Sequence, residues 1–372
     1  MKKNIVSLPS VLESHNSPLI NVTNERIEGL KLFHDDQYYI VGNLALNEGN
    51  SPHKVINCSP DDTDYQVLMK SSLYLAECLR NGKPIQVTTG FPFSTYRMNI
   101  KGAKELVGAM DSIIIDLRTI GEDADTEIRM PNVDIDIMPE LLASTLAARS
   151  GEMGVKGGVF VVSLGYGTLE IGMSTDSGFI QRTFNSGSGI RYAVKSAMNK
   201  LEKNYYLGLR NEHQFDRSFR KGAITLNRRR IDLTAVRKEA LIEYYKDIVS
   251  PLIMNTWTDD DFSKVNTLVL VGGGALYSDL VNEFYEEFNG ILSINIPDDP
   301  LTMASTGYAL NSNKKIEYSG KKPGKDIIPV GIDIGNANSV ITLFTNDKAE
   351  EISGNESVER LYDSIEENSR AE

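Results

Sequence analysis

Two stretches of the chain repeat one layout: an apolar strand, a turn that contains glycine, and a second apolar strand. They are "VFVVSLGYGTLEIGMS" at residues 159–174 and "PVGIDIGNANSVITLF" at residues 329–344. The layout is typical of β-hairpins, because glycine permits a tight turn between two buried strands. It is the clearest internal duplication in the sequence, and 372 residues with 41% hydrophobic side chains suffice for two lobes, each with its own core.

The net charge of the chain limits its partners. With 39 basic and 51 acidic residues the formal charge is -12, which disfavours nonspecific attraction to nucleic acid or to anionic lipid. Any contact with DNA must therefore be local or made through an adaptor. Cys58 and Cys78 show no metal or disulfide spacing, as is typical of a reducing cytoplasm. No stretch approaches the ~20 apolar residues of a membrane span.

Strands alternate with helices along most of the sequence. The apolar spacing predicts helices over residues 65–80 and 232–257, and a glycine-rich loop that opens a helix at Ile190. Strands are predicted in "PIQVTTGFP", "SIIIDL" and "NVDIDIM". This alternation predicts an α/β fold.

Three glycine turns follow predicted strands, and each could bind an anion. Gly335 lies in "DIGNAN", Gly165 and Gly167 lie in "SLGYGT", and Gly272–Gly274 lie in "VGGGAL". Without a Cβ atom, glycine lets backbone N–H groups approach a phosphate. For any single turn, a tight connection between two strands is the simpler interpretation.

Together with "MPEL" at 138–141, these turns resemble the actin-like ATPase fold and, within it, the ParM-like plasmid-segregation actins. That family has a first phosphate hairpin D-x-G-x-x-N-x-K, similar to "DIGNANSV" here, and a second hairpin D-x-G-G-x-T-x-D, similar to "SLGYGTLE". Its catalytic helix reads M-P-E-S, and its adenosine loop resembles "VGGGA". The resemblance covers residues 1 to about 345.

The first hairpin stands at the wrong end for this family. It opens the chain in the relatives, whereas here it follows all the other motifs, which indicates a circular permutation. A polar tether at 318–326 would join the old termini. The 11 residues from Ile316 to Asp326 reach at most ~35 Å, ample for neighbouring ends of one lobe.

The resemblance implies a two-lobed fold of duplicated RNase H-like domains, circularly permuted. The first lobe would comprise residues 1–150 and 300–346, with a small subdomain near 17–60. The second would comprise 151–299, with an outer subdomain near 204–260. Residues 347–372 form an acidic tail; from Lys348 onward it has eight acids and three bases.

The resemblance also implies that ATP or GTP, and the corresponding diphosphate, binds with Mg2+, the two hairpins closing on the phosphates from opposite lobes. The candidate nucleotide contacts are Ser163, Gly165, Tyr166, Gly167, Thr168, Gly189, Arg191, Lys195, Gly272, Gly273, Gly274, Ala275, Gly335, Asn336, Ala337 and Asn338. Lys195 could equally lie on a solvated helix face. The sequence does not distinguish adenine from guanine.

Two acids would be catalytic in this family. Asp333 would hold Mg2+ through water, and its alternative is a turn-capping role. Glu140 would polarise the attacking water, and its alternative is an acid that favours the helix dipole. Ser163 replaces the family's aspartate and Val340 its lysine, so we expect nucleotide binding with slow hydrolysis.

Arg217, Arg220, Lys221 and Arg228–Arg230 form a basic run that we expect to be solvated or to contact another subunit, the acidic tail being a candidate counterpart. No sequence-specific nucleic-acid binding and no membrane contact are expected. The resemblance implies a cytoplasmic protein that assembles head to tail into filaments and segregates plasmid DNA through an adaptor protein. The alternatives are a small-molecule kinase of the same superfamily and a chaperone-type ATPase, although the latter would need a substrate-binding domain.

Overall fold

The computed structural model describes residues 1–55, 58–80, 82–122, 125–130, 133–150, 153–203, 205 and 212–346. The chain divides into two compact units. Unit 1 contains Met1–Phe91, Thr95–Pro139 and residues 304–346, and unit 2 contains Pro92–Ser94 and Glu140–Met303. The predicted acidic tail lies outside the described residues.

The strands have the following bounds in chain order: β1 Lys2–Pro9, β2 Val11–Ser14, β3 Lys31–His34, β4 Gln37–Val41, β5 His53–Lys54, β6 Ile85–Phe91, β7 Ser112–Asp116, β8 Asp125–Arg129, β9 Asp134–Pro139, β10 Val159–Leu164, β11 Thr168–Thr175, β12 Gly178–Phe179, β13 Asn185–Ser188, β14 Ala223–Leu226, β15 Arg229–Asp232, β16 Thr267–Val271, β17 Ser293–Asn295, β18 Ile328–Ile334 and β19 Asn338–Thr345.

The helices have the following bounds: α1 Asn43–Glu48, α2 Thr63–Leu79, α3 Phe93–Gly108, α4 Glu140–Arg149, α5 Arg191–Glu202, α6 Glu212–Lys221, α7 Thr234–Tyr244, α8 Ser250–Thr256, α9 Asp259–Lys264, α10 Ser278–Glu287 and α11 Met303–Tyr318. A π-helical turn, Tyr245–Val249, joins α7 to α8.

The main sheet of unit 1 has the strand order β1-β19-β18-β6-β9. The hairpin β18–β19 lies inside this sheet: β19 pairs antiparallel with β1, and β18 pairs parallel with β6. Strand β18 is buried except at Asp333, which explains its nearly continuous apolar sequence. The last described strand of the chain is therefore part of the core of unit 1.

The main sheet of unit 2 has the strand order β12-β11-β10-β16-β17. Strand β10 pairs antiparallel with β11 and parallel with β16, which pairs parallel with β17. Both main sheets have a hairpin with further antiparallel pairing on one side, by β1 in unit 1 and by β12 and β13 in unit 2, and two parallel strands on the other side. They differ in chain order: the hairpin comes first in the unit 2 sheet and last in the unit 1 sheet.

A second sheet of unit 1 has the order β5-β2-β4-β3-β7-β8. Strands β3, β4 and β5 lie within the segment near 17–60 that was predicted as a small subdomain, whereas β2, β7 and β8 lie outside it. In the interior of the sheet, the buried Lys31 ammonium lies 3.1 Å from the buried Asp116 carboxylate. The pairing of these two charges is what permits their burial.

Helix α4 belongs to unit 2, so the boundary between the two units falls after Pro139, whereas the sequence predicted it near residue 150. Leu141 of α4 is fully buried and packs against Gly172 of β11. A Cβ atom added to Gly172 would lie only 2.9 Å from Cδ2 of Leu141. Pro139 is the last residue of β9, and Glu140 directly after it is the first residue of α4. The core of unit 2 continues through the sheet to α5, α7 and α10.

The basic run predicted to be solvated contains α6 and the hairpin β14–β15. Arg217, Lys221 and Arg228–Arg230 are exposed, but Arg220 is not on a solvated face. Its guanidinium is largely buried and bonds to the buried carboxylate of Asp216 at 2.5 Å. The expectation was wrong for Arg220 because this i,i+4 pair turns the side chain inward.

Candidate functional site

The two glycine hairpins close their turns in the same way. In unit 1 the backbone N–H of Gly335 donates to the carbonyl of Asn338 at 3.1 Å, and in unit 2 that of Gly165 donates to Thr168 at 3.1 Å. Each turn has three residues between its strands. The predicted duplication is therefore present down to the turn hydrogen bond.

The first turn is held by hydrogen bonds to two other segments of unit 1. Ser10 donates its backbone N–H to the carbonyl of Ala337 at 3.0 Å, and the side chain of Asn336 donates to the carbonyl of Val55 at 3.2 Å. Asp333, Gly335, Asn336, Ala337 and Asn338 are all partly exposed. This half of the predicted site is thus a fixed turn with accessible backbone.

Asp333 lies near the carboxyl end of β18, directly across the hairpin from Val340. Val340 is 4% exposed, and this uncharged side chain stands where the ParM-like actins have lysine. Mg2+ takes few protein carboxylates and keeps water and phosphate oxygens as its other ligands. Asp333 has the donor type that Mg2+ takes, and its role as a magnesium ligand stays a prediction.

The second turn is packed against the start of α5. The N–H groups of Gly189, Ile190 and Arg191 donate to the carbonyls of Gly167, Gly165 and Tyr166 at 3.1, 3.0 and 2.9 Å. A Cβ on Gly189 would lie 2.4 Å from the carbonyl oxygen of Gly165, so this position requires glycine. Gly189 therefore shapes the turn.

The triple glycine packs behind the same turn. Gly272 has φ +83°, and a Cβ there would lie 2.9 Å from the backbone of Leu164. A Cβ on Gly274 would lie 2.6 Å from the Cβ of Leu164 and 2.8 Å from Cδ1 of Ile190. Three segments that are distant in sequence, around Gly165, Gly189 and Gly272–Ala275, thus meet in unit 2.

Glu140 is the first residue of α4 and lies beside the second hairpin. Ser163 is 2% exposed and donates from Oγ to Oε1 of Glu140 at 3.3 Å. Burial raises the pKa of Glu140, and the hydrogen bond from Ser163 opposes the rise. Sequence reasoning did not predict this partner for Ser163, because nothing local links positions 140 and 163.

A second buried carboxyl, Glu170, lies across the hairpin from Ser163. Burial, together with the neighbouring Glu140, raises the pKa of Glu170 well above its usual value. The backbone N–H of Phe93 donates to its Oε1 at 2.6 Å. Two carboxyl groups and one hydroxyl thus form a polar cluster, Glu140–Ser163–Glu170.

Glu212, which sequence reasoning missed, binds two of the predicted contacts. The guanidinium of Arg191 donates to both of its oxygens, at 2.6 and 2.8 Å, and the hydroxyl of Tyr166 donates to Oε1 at 2.8 Å. Partial burial opposes ionisation of Glu212, but the hydrogen bonds from Arg191 and Tyr166 outweigh it and lower its pKa. This network joins the second turn to α5 and α6.

The remaining predicted contacts differ in exposure. Lys195 is exposed one turn after Arg191, Thr168 is partly exposed, and Gly274 and Ala275 are buried. Within the described ranges, no group of three or more His, Cys, Asp or Glu residues is placed to hold a metal ion. None of the described helices is both long and apolar enough to cross a membrane.

Solved structures share this fold across most of the chain, although no protein-family model and no curated protein matches the sequence. A ParM filament structure from Clostridium botulinum aligns with TM-score 0.67 at 15% identity, covering 82% of this chain and 92% of the other. Ta0583, an archaeal actin homologue, gives 0.65 at 16% identity over 82% and 92%. MreB5 of Spiroplasma citri bound to ADP gives 0.56 at 12% identity over 78% and 88%.

These similarities define the class: the chain has the actin-like fold, and the predicted α/β architecture is confirmed. Among the solved structures that share this fold, the chain is similar to ParM and to an archaeal actin homologue. At such low identity the similarity establishes the fold alone.

Proposed function

We propose that this protein is a nucleotide-dependent, filament-forming actin-like protein of the cytoplasm. The proposal depends on two hairpins, β18–β19 and β10–β11, whose turns are closed by the same backbone hydrogen bond. Each hairpin lies inside the main sheet of its unit, next to two parallel strands. The ParM filament structure from Clostridium botulinum, which has this fold, supports self-association. Head-to-tail contacts use different surfaces on each subunit and do not close, so a filament is the natural product.

The nucleotide would be ATP or GTP, exchanged for the diphosphate after hydrolysis. The ADP complex of MreB5 of Spiroplasma citri, which has the same fold, supports nucleotide binding. The turns at Gly335 and Gly165 would offer backbone N–H groups to phosphate oxygens. Asp333 would hold Mg2+, which when bound neutralises phosphate charge and orients the phosphates.

Slow hydrolysis would depend on Glu140. Its carboxylate would take a hydrogen bond from the attacking water and orient it, while Ser163 holds the carboxylate in place. The raised pKa of Glu140 makes it a better proton acceptor than an ordinary glutamate. The absence of the family's aspartate at 163 and lysine at 340 supports a turnover below that of typical relatives.

We also infer that the chain is a circular permutant of the ParM-like actins. The support is internal: the unit 2 sheet is built in the order hairpin, third strand, parallel strands, whereas the unit 1 sheet begins at its third strand and ends with its hairpin. Residues after Tyr318, where α11 ends, connect it to β18 at Ile328. Moving this one hairpin would restore the same order in both units.

The cargo proposal is plasmid DNA, segregated through an adaptor protein. It rests on the resemblance of the motifs to the ParM-like actins. The exposed basic residues Arg217, Lys221 and Arg228–Arg230 would contact another subunit, with the acidic tail as counterpart. Direct reading of a DNA sequence is not proposed.

Sedimentation tests the central proposal. Purified full chain is centrifuged at high speed with ATP, GTP, the diphosphates, or no nucleotide, each with and without Mg2+, and phosphate release is followed in parallel. We expect pelleting with a triphosphate and Mg2+ only, and slow phosphate release. Soluble protein under every condition, with rapid phosphoryl transfer to a small acceptor, would instead support the kinase alternative.

A further inference from the structure

Glu170 belongs to the polar cluster, and none of the described basic residues forms an ion pair with it. It is 1% exposed and is the cross-strand partner of Ser163, whose hydroxyl bonds to Glu140. Strands β10, β11 and β13 carry no lysine, arginine or histidine, and Glu170 is their one charged residue. The first turn of α4 adds the carboxyl group of Glu140.

The carboxyl group of Glu170 contacts backbone N–H groups in the first turns of two helices. Its Oε1 accepts the N–H of Phe93, the first residue of α3, and its carboxylate also accepts the N–H of Leu141, the second residue of α4. The first N–H groups of a helix have no partner within the helix, so an external acceptor fixes the first turn. Because Leu141 follows Glu140, this bond holds the turn that carries Glu140.

The charge state of Glu170 follows from burial and neighbours. Its Oε2 is buried and has no hydrogen-bond partner among the described residues. An ionised carboxylate in such a place, next to a second carboxylate and without a cation, is costly, so the pair retains a proton. Glu170 is the more buried member, and burial and Glu140 together raise its pKa well above the usual range.

We propose that Glu170 is a neutral carboxylic acid that positions Glu140, by accepting the N–H of Leu141, and that its neutrality leaves Glu140 as the ionised member of the pair. This role rests on the proposed function in so far as Glu140 acts on the attacking water. Glu170 acts through Glu140 and is a positioning residue, not a catalytic one.

The test compares Glu170→Gln, Glu170→Asp and Glu170→Ala, with Glu140→Gln as the catalytic control. Glutamine keeps an acceptor for both helix starts and resembles the neutral acid, so phosphate release should stay within about twofold of wild type. Aspartate is one methylene shorter and should reach neither N–H, so its kcat should fall at least about tenfold with KM little changed. Glu140→Gln should abolish release.

A second measurement does not require any nucleotide. If Glu170 is neutral in the folded state and ionised when unfolded, wild type loses stability as pH rises through the folded pKa, whereas Glu170→Gln does not. The Tm of Glu170→Gln should therefore exceed that of wild type, by a margin that grows as pH rises above the ordinary carboxyl pKa. Infrared spectra should show a protonated-carboxyl band in wild type that the variant lacks.

The outcomes separate the two proposals. Parallel Tm curves for wild type and Glu170→Gln, or a Glu170→Gln variant as inactive as Glu140→Gln, would show that Glu170 is ionised and would overturn this inference. Wild type that releases no phosphate with any nucleotide would overturn the proposed hydrolysis, while the Tm and infrared comparison would still decide the charge of Glu170.

Discussion

Oγ of Ser163 lies 3.3 Å from Oε1 of Glu140 and donates a hydrogen bond to it. This bond stabilises the ionised carboxylate, so Ser163→Ala should raise the pKa of Glu140 further. The acid limb of the pH profile of phosphate release should move upward by about one pH unit, since a hydrogen bond to a charged group is worth about 1.5 kcal/mol. Ser174→Ala, which removes a buried serine from β11, is the matched control. An unchanged profile in Ser163→Ala would contradict the role given to this bond.

Asp333→Asn should remove the dependence of nucleotide binding on Mg2+. Asparagine keeps the shape of the side chain but lacks the charge that holds the cation. Triphosphate affinity with Mg2+ should fall at least about tenfold, and affinity in EDTA should change little, as measured by titration calorimetry. Asp36→Asn is the control, because Asp36 is exposed and asparagine tolerates its φ of +61°. Equal affinity loss with and without Mg2+ would point to a structural defect instead.

Val340→Lys restores the lysine of the relatives at a position across from Asp333. The ammonium would reach the turn and attract phosphate, so triphosphate affinity should rise about fivefold. Burial at this 4%-exposed site should also lower the stability of the free protein by about 2 kcal/mol. Val340→Met adds a long uncharged chain and should destabilise without the gain in affinity. If methionine and lysine gave the same affinity, charge would not be what this position lacks.

Glu212→Gln should lower the free energy of unfolding by about 1 kcal/mol at neutral pH. The pKa of Glu212 is lowered in the folded state, so its contribution is present above its ordinary pKa and is lost as pH falls through the lowered folded value. The variant should therefore match wild type in acid. A double-mutant cycle with Tyr166→Phe should give a coupling of about 1 kcal/mol in chemical denaturation.

Tyr192→Phe supplies the comparison for that cycle. Its hydroxyl donates to the exposed Asp247 at 2.9 Å and is not part of the Glu212 network. Its coupling to Glu212→Gln should be near zero. Coupling as large as that of Tyr166 would indicate a general loss of stability.

Reversing the three arginines at 228–230 to glutamate should raise the critical concentration for filament assembly about tenfold, because the surface would repel an acidic partner. Deleting residues 351–372 should also raise the critical concentration. In the deleted chain, reversing the three arginines should cause no further increase. A reversal of Lys2, Lys3 and Lys321, which are exposed in unit 1, changes the same number of charges and serves as the control. Unchanged critical concentration and filament shape after the deletion would exclude the tail as the counterpart.

The sequence predicted those elements that have a long apolar pattern within one continuous segment. The hairpin predicted at 329–344 spans Ile328–Thr345, and the helix predicted to open at Ile190 begins at Arg191. Both combine an apolar run with glycine at its end, and such a pattern depends on no distant residue. The hairpin β14–β15 was not predicted, because its strands have four residues each and its turn, Asn227–Arg228, lacks glycine.

The side-chain partners in the site could not be predicted, because they depend on distances between segments far apart in sequence. Nothing near Glu212 indicates that it binds Arg191, and nothing near Glu170 indicates its bond to Phe93. The burial of Arg220 was predictable in principle from Asp216 four residues earlier. Motif resemblance located the turns, but the tertiary structure determines which groups meet there.

The position of β18–β19 also sets when unit 1 can fold during translation. Strand β1 is made first, but its partner in the sheet is β19, and Lys2 pairs with Thr345. Until the ribosome has released the hairpin β18–β19, β1 and β6 each expose an unpaired edge in the nascent chain. Unit 2, whose sheet strands lie between residues 159 and 295, can form its sheet well before then. Translation of unit 1 therefore begins before that of unit 2, but unit 2 can complete its sheet first.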